Sequence, residues 1–317
     1  MINEVKAKRA FYMGLKYIVL ILLAYQLLYP VLYMISASIK DPLDSYDPSV
    51  IWIPKNFSAT GFIDAFKSMK YLDALKGSLE ISLGCAVLDV MSCALAGYGF
   101  ARFKFPFKNL LFACVILTLM VPMQTIILPY YMNMRYFDPL GLVSAINAAF
   151  DKTITINLVG KNIAFYLPSL FGSGIRSGLY IYIFRQFFEG MDKALEESAQ
   201  IDGCGPLRTF LNIMLPNARN SIVTVFLFSF VWQWTDLFYS RNFLSTYKIY
   251  SVELSSIVSR MARYFAQGLN ESVVVPNGRQ QQLIAIGVLI CCIPLIILYC
   301  FTQKTFVQSL AMTGSKE

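Results

Sequence analysis

Glu-Gly-Met-Asp-Lys-Ala-Leu-Glu-Glu-Ser-Ala-Gln-Ile-Asp-Gly-Cys-Gly-Pro-Leu-Arg-Thr-Phe-Leu-Asn-Ile-Met-Leu-Pro occupies residues 189–216. Asp192 is placed to cap a helix holding Ala194, Leu195, Glu196, Glu197 and Ala199, residues that form or tolerate helix. Gly203 stops that helix, because glycine takes the left-handed conformation without steric cost. Pro206 suits the first turn of a second helix. There Leu207, Phe210, Leu211 and Met214 recur at i, i+3, i+4 and i+7, an apolar stripe. Pro216 disfavours helix at Leu215 and predicts an end there. The stretch is therefore a helix–turn–helix with one apolar side and one exposed side of acidic and small residues.

On both sides of it the chain is apolar. Of 317 residues 56% are hydrophobic and only 15% charged, against roughly 25% charged in a soluble domain. The mean hydropathy is +0.55. So much apolar surface predicts a bilayer as solvent and a single membrane domain. The formal net charge is +8. The basic residues are scattered through short segments between apolar runs, which fits loops at an anionic membrane surface and not a nucleic-acid interface.

A span needs about 20 mostly apolar residues. Six segments qualify: 17–38, 79–100, 110–130, 163–188 with a glycine-rich stretch inside, 221–240 and 283–302. Six spans place both termini on one side. The loop 101–109 carries Arg102, Lys104 and Lys108 and no acid, which with the basic N-terminus makes that side cytoplasmic. Basic residues precede the first span as in a secretory signal, but no small-residue cleavage site follows it. Two long outer segments have amphipathic stretches, at 59–75 and around Tyr250 to Met261. The prolines in or beside the spans read as kinks, tolerated in membrane helices.

Residues 189–216 resemble the EAA loop of ABC importer permeases. That pattern is Glu-Ala-Ala, three residues, Gly, nine residues, Ile, one residue, Leu-Pro. Here Glu197, Ser198, Ala199, Gly203, Ile213, Leu215 and Pro216 stand at those spacings, with serine for the middle alanine. Weaker matches point to the carbohydrate branch, of the maltose-permease-G type: Ala96-Gly-Tyr-Gly-Phe-Ala-Arg-Phe-Lys-Phe, Met120-Val-Pro-Met-Gln, Phe184-Arg-Gln-Phe-Phe, Phe230-Val-Trp-Gln-Trp-Thr-Asp and Gln303-Lys-Thr-Phe-Val-Gln-Ser-Leu-Ala. The likeness covers roughly residues 75–315, with an apparent insertion around 141–161.

The resemblance implies an all-α fold, a type I ABC importer permease bundle of six transmembrane helices with a cytoplasmic coupling loop. The six apolar runs divide the chain into an N-terminal cytoplasmic segment 1–16, a first span 17–38, an extracytoplasmic segment 39–77, a permease core 78–302 and a cytoplasmic tail 303–317. The resemblance also implies the partners: a second, homologous permease, a cytoplasmic ATPase dimer that docks on the loop, and an extracytoplasmic substrate-binding protein, all at a membrane of bacterial inner-membrane type. Glu197 is then expected to meet a basic residue of the ATPase. Small residues at 198 and 199 allow close approach, and Gly203 permits the turn.

The chain itself reads as no enzyme and as holding no cofactor. It has no histidine. Of its seven cysteines none falls in a loop placed outside, so no disulfide framework is expected, and none forms a CxxC pair, so no zinc site is expected. Gly172-Ser-Gly-Ile-Arg-Ser-Gly lacks the Lys-Ser/Thr ending of a phosphate-binding loop and reads as close helix packing or a break. ATP is then bound by the partner. Asp89 and Asp236 fall within predicted spans, where an acid is a functional candidate. Each reads either as a partner for a sugar hydroxyl or for a basic residue of the second permease, with Asp236 equally placed for the water interface. Trp232, Trp234 and Tyr239 read as sugar-stacking groups or as an interfacial belt, and Gln124 is a further pathway candidate. The other transport class, an ion-coupled secondary transporter, needs buried ionisable relays and usually internal repeats. Only Asp89 qualifies, and no repeat is visible. The residues do not name the solute beyond the lean to carbohydrate.

Overall fold

The computed structural model describes residues 2–244, 246–266 and 274–314. Among them there is helix and no strand, only an isolated antiparallel bridge between Lys40 and Phe57. The chain divides into two compact units, one of residues up to Tyr71 with Ser256–Ile293, the other of Leu72–Ser255 with the chain from Pro294 onward.

In the first unit α1 (Ile2–Ile39) is a single long helix, so the expected N-terminal segment is helical and continuous with the first span. The chain then turns back through residues 40–57. Lys40 Nζ donates to the carbonyls of Val50 and Ile51 at 3.1 and 3.2 Å. Asp44 accepts from the Asn56 backbone and side chain at 2.8 and 3.0 Å. The amphipathic stretch expected at 59–75 is shorter: α2 (Thr60–Met69) stops where Lys70 turns left-handed, φ 46°, and Tyr71 begins α3 (Tyr71–Arg102).

The second unit contains most of the remaining helices. These are α4 (Lys108–Met120), α5 (Met123–Arg135), α6 (Leu142–Phe150), α7 (Ile163–Leu170), α8 (Ser177–Glu189), α9 (Ala194–Ile201), α10 (Pro206–Asn217), α11 (Arg219–Thr235), α12 (Phe238–Phe243) and α13 (Tyr250–Ser255). Back in the first unit, α14 (Ile257–Ala266) lies on α2 and buries Ile257 and Met261. The last helix, α15 (Asn277–Gly314), begins there. Its Arg279 pairs with Asp64, and Gln282 Nε2 donates to the Lys40 carbonyl at 2.8 Å. Parts of two sequence expectations, the outer loop at 245 and 267–273 and the tail at 315–317, lie outside the described residues.

Of the six expected spans, three appear among the described residues as single helices long and apolar enough to cross a membrane, Phe11–Ile39, Tyr71–Arg102 and Asn277–Val307, and two bent pairs raise the number to five. The run 110–130 is α4 and α5, bent by 106° at Val121–Pro122. Proline has no N–H for the helix ladder and forces the residue before it into extended backbone; Val121 has ψ 118°. The run 163–188 is α7 and α8, separated by residues 171–176, where Gly172 and Arg176 are both left-handed at φ 64°. Hydropathy reads composition and passes over such breaks.

The insertion around 141–161 contains α6. Both carboxylate oxygens of Asp138 hold its start, accepting from Val143 N at 2.8 Å and from Ser144 N at 3.1 Å. Two clusters form the core of this unit. One gathers Tyr98, Tyr180, Phe184, Phe188, Phe210 and Met214. The other gathers Ile81, Cys85, Phe165, Tyr239, Phe243 and Ile249.

Candidate functional site

The segment 189–216 is built as a bracket with an anchored back and a bare front. Asp192 accepts from Ala194 N at 3.0 Å and starts α9. α9 ends in two nested bonds, Gly203 N to Gln200 O at 3.0 Å and Cys204 N to Ala199 O at 2.9 Å. Gly203 takes φ 77°, so this is a glycine-dependent Schellman close. Pro206 then opens α10.

Pro216 does not end that helix as expected. Residues Phe210–Met214 are π-helical, and helix resumes over Leu215–Asn217. The wider turn accommodates a proline that cannot donate to Asn212 and would crowd its carbonyl. The Asn217 amide takes up the Ile213 carbonyl at 2.8 Å. The chain bends by 79° only after this, at buried Ala218.

The predicted apolar stripe splits in two. Phe210 and Met214 are buried against Tyr98 and Phe188, with ring centroids of Tyr98 and Phe210 5.0 Å apart. Leu207 and Leu211 point away and are 64% and 49% exposed, beside Ile201 at 86%. The two adjacent glutamates split in the same way. Glu196 turns inward and pairs with Arg102 at 3.3 Å, both side chains almost covered. Arg102 also donates to the Met191 carbonyl at 2.8 Å. Glu197 and Ser198 stay exposed, and Ala199 is buried against the bracket's own base. Sequence reasoning missed Glu196 and treated Arg102 only as a loop charge. The available signal was an unpaired arginine at the end of a span facing a segment with two consecutive acids.

The other predicted residues fall in the same unit but not at one place. Asp89 is buried, and one carboxylate oxygen accepts from Ser229 Oγ of α11 at 2.7 Å. No basic side chain pairs with it among the described residues. Its other oxygen faces Gly174, where a β-carbon would come within 2.9 Å of it. Ser92, one turn along α3, donates to the Ser169 carbonyl of α7 at 2.6 Å. Asp89 thus sits where α3, α11 and the break after α7 meet.

Asp236 is committed to backbone. It accepts from Tyr239 N at 3.3 Å and Ser240 N at 2.7 Å, the start of α12. Trp234 is buried between Phe230 and Tyr250. Trp232 is half-buried, stacked on Tyr180 and Phe228, with the Arg176 guanidinium 5.4 Å from its ring. Gln124 is exposed in the first turn of α5. Between Trp232 and Trp234, Gln233 of α11 reaches a cavity it shares with α5, α7, α12 and the 171–176 break. No cluster of metal-ligating side chains occurs among the described residues.

Residues 93–311, more than half of the chain, match the binding-protein-dependent transport system inner membrane component family. The chain belongs to that family. The matched region takes in the 189–216 bracket, the break at 171–176 and the Asp89-facing part of α11. Relatives match nearly end to end. The maltodextrin transport system permease protein MalD of Streptococcus pneumoniae is 25% identical over 99% of both chains. MdxG of Bacillus subtilis, also named for maltodextrin transport, is 26% identical over 95% of both. The arabinooligosaccharides transport system permease protein AraQ of Halalkalibacterium halodurans is 24% identical over 93% of both. In fold, the permease superposes on a chain of a bacterial ABC transporter involved in import of the acidic polysaccharide alginate. The TM-score is 0.69 at 18% identity, over 93% of this chain and 96% of that one. The permease is therefore a membrane protein with the type I ABC importer permease fold.

Proposed function

We propose that this permease forms half of the translocation pathway of an ABC importer for a sugar or oligosaccharide. Its other half is a second, homologous permease. A cytoplasmic ATPase dimer drives it, and an extracytoplasmic binding protein delivers the solute. The permease binds no cofactor of its own, and ATP is bound and hydrolysed on the partner.

The observation that carries the coupling role is the two-sidedness of residues 189–216. The back is fixed by Arg102–Glu196 and by Phe210 and Met214. The front offers the exposed side chains of Glu197, Ile201, Leu207 and Leu211. An apolar patch rimmed by an acid is the surface of a protein–protein contact. A fixed back lets a push on the front reach α3 and α11. On this reading ATP closes the ATPase dimer, the docked brackets of the two permeases move together, and the bundle turns from inward- to outward-facing.

The side of the membrane follows the same pair. Arg102 opens the short basic loop with Lys104 and Lys108, and its bond to Glu196 brings that loop and the bracket to one end of α3. We place that end on the cytoplasmic side because a basic short loop marks the cytoplasm, and with the six spans of the sequence reading both termini lie there as well. The sugar assignment rests on the relatives, which are named for maltodextrin and arabinooligosaccharide transport.

Affinity capture of the permease from its native membrane tests the reading. An ATPase, a second permease and a binding protein are expected to come with it. Glu197→Lys and Ile201→Asp are each expected to release the ATPase and leave the second permease bound. Retention of the ATPase by both variants contradicts the docking role. Uptake that survives ATP depletion and stops when the ion gradient is collapsed contradicts the importer.

A further inference from the structure

In the first unit, Val50-Ile51-Trp52-Ile53 has its groups arranged in reverse of a loop in water: the backbone carbonyls are covered and the side chains are bare. Ser36 Oγ of α1 donates to the Trp52 carbonyl, and Lys40 Nζ donates to those of Val50 and Ile51. Three successive carbonyls are thus taken up by two side chains, and both donor residues are buried. Ile51 is 60% and Ile53 79% exposed, with Trp52 between them at 37%. A buried lysine is rare and costs solvation. In water it would be spent on carbonyls that water satisfies unaided.

The segment runs beside the end of a membrane helix. Phe11–Ile39 is long and apolar enough to cross a bilayer, and α1 becomes buried only at Ser36. The Trp52 backbone is held at Ser36, while its ring meets that of Tyr29 edge-to-face, centroids 5.2 Å apart. Tyr29 stands two turns back along α1, about 10 Å on the axis. Trp52 therefore reaches back beside the span. Tryptophan and tyrosine together at the end of a span make up the belt where head groups meet acyl chains. The charges on either side of the segment, Asp47 and Lys55, pair with each other and keep exposed side chains.

The hydrogen-bond balance fits the same layer. The N–H groups of Ile51, Trp52 and Ile53 meet no acceptor among the described residues. Acyl-ester carbonyls accept hydrogen bonds and have none to give. Backbone entering that layer must bring donors for its own carbonyls, and can leave its N–H groups to the lipid. Lys40 and Ser36 are those donors.

We propose that residues 50–53 are a lipid-facing strap, seated in the ester and upper acyl layer of the bilayer beside the end of α1. Its partner is a glycerolipid, and its effect is to fix the depth of α1 whatever solute the permease carries. The bare isoleucines and Trp52 enter the lipid, and the Asp47–Lys55 pair stays in water.

The test uses the complex captured from its native membrane and reconstituted in phosphatidylcholine vesicles. The lipid carries bromine either high on the acyl chain or near its end, and bromine quenches tryptophan only at close range. The emission of Trp52 is the difference between the unmodified complex and Trp52→Phe. High bromines are expected to quench that difference about twofold or more, deep bromines less, and acrylamide from the water little. Ile53→Asp is expected to halve the quenching by lipid, because a carboxylate draws the strap toward water, with the yield of complex unchanged. Should Trp52→Phe fail to assemble, Ile53→Trp carries the test by adding emission at an already bare position, with the same preference for high bromines. Emission quenched by acrylamide and not by bromine puts the strap in water. Emission that neither quencher reaches puts it beneath a partner chain. Either result overturns the proposal, as does stronger quenching by the deep bromines.

Discussion

Arg102 Nε lies 3.3 Å from Glu196 Oε2, in an ion pair whose side chains are 6% and 13% exposed. The pair fastens the back of the 189–216 bracket to the end of α3. Removing one member strands a covered charge, which costs about 3 kcal/mol. Arg102→Leu and Glu196→Leu are each expected to make the bracket several times more sensitive to limited proteolysis. The double replacement, which leaves no lone charge, is expected to fall short of the sum of the two. An Arg102→Leu protein as resistant as the original removes the anchoring role.

Asp89 accepts a hydroxyl from Ser229 and has no basic partner among the described residues. Asparagine keeps an accepting oxygen in that place. Asp89→Asn is therefore expected to fold and to retain ATP-driven uptake within about twofold, whereas Asp89→Leu strands the serine and costs about 1–3 kcal/mol. The readouts are detergent melting temperature and vesicle uptake. A folded Asp89→Asn protein with no uptake means the carboxylate's charge is in use, and the ion-coupled reading returns.

Gly97 of α3 is where that helix meets α8. A β-carbon there would lie 2.6 Å from the Phe184 β-carbon and 2.9 Å from the Arg185 backbone nitrogen. Gly97→Ala is expected to lower stability by about 1–3 kcal/mol, the usual cost of overpacking. Gly99, two residues on, has nothing within 4 Å of its would-be β-carbon. Gly99→Ala is expected to stabilise the helix by up to about 1 kcal/mol. Melting temperatures that move together for the two variants contradict this account of the α3–α8 contact.

The Ser144 hydroxyl, with the backbone N–H groups of Val143 and Ser144, holds the Asp138 carboxyl below the usual carboxylate range. A lowered folded value means the cap stabilises α6 above the ordinary carboxylate pKa. That contribution is lost as pH falls through the lowered value. Protection of the α6 amides, taken relative to their intrinsic exchange rates at each pH, is expected to fall on acidification in the unmodified protein and to stay flat over the same range in Asp138→Asn. Parallel curves for the two proteins disprove the assignment.

What could be read in the sequence was local chemistry. The Asp192 start, the Gly203 close and the Pro206 opening of the bracket each depend on one residue and its immediate neighbours, and the structure contains all three. Pro216 was misread because a π-helical turn leaves no mark in composition or period. The breaks at 121–122 and 171–176 were hidden because an apolar run looks the same bent or straight. Which of Glu196 and Glu197 turns inward is decided by Arg102, far back in the chain. The pathway candidates suffered the same limit. Trp234 and Asp236 have chemistry suited to a sugar, but one is enclosed by aromatic rings and the other caps α12. Gln233, the residue that reaches the cavity, is chemically ordinary until its surroundings are known.

The 79° bend at Ala218 sets how α10 and α11 exchange motion. Two rods joined at nearly a right angle act as a crank. A displacement of the first along its own axis becomes almost wholly a sideways swing of the second. The joint is buried, so it has little slack. A short thrust on the bracket therefore arrives at the far end of α11 as lateral travel, and that end holds Gln233.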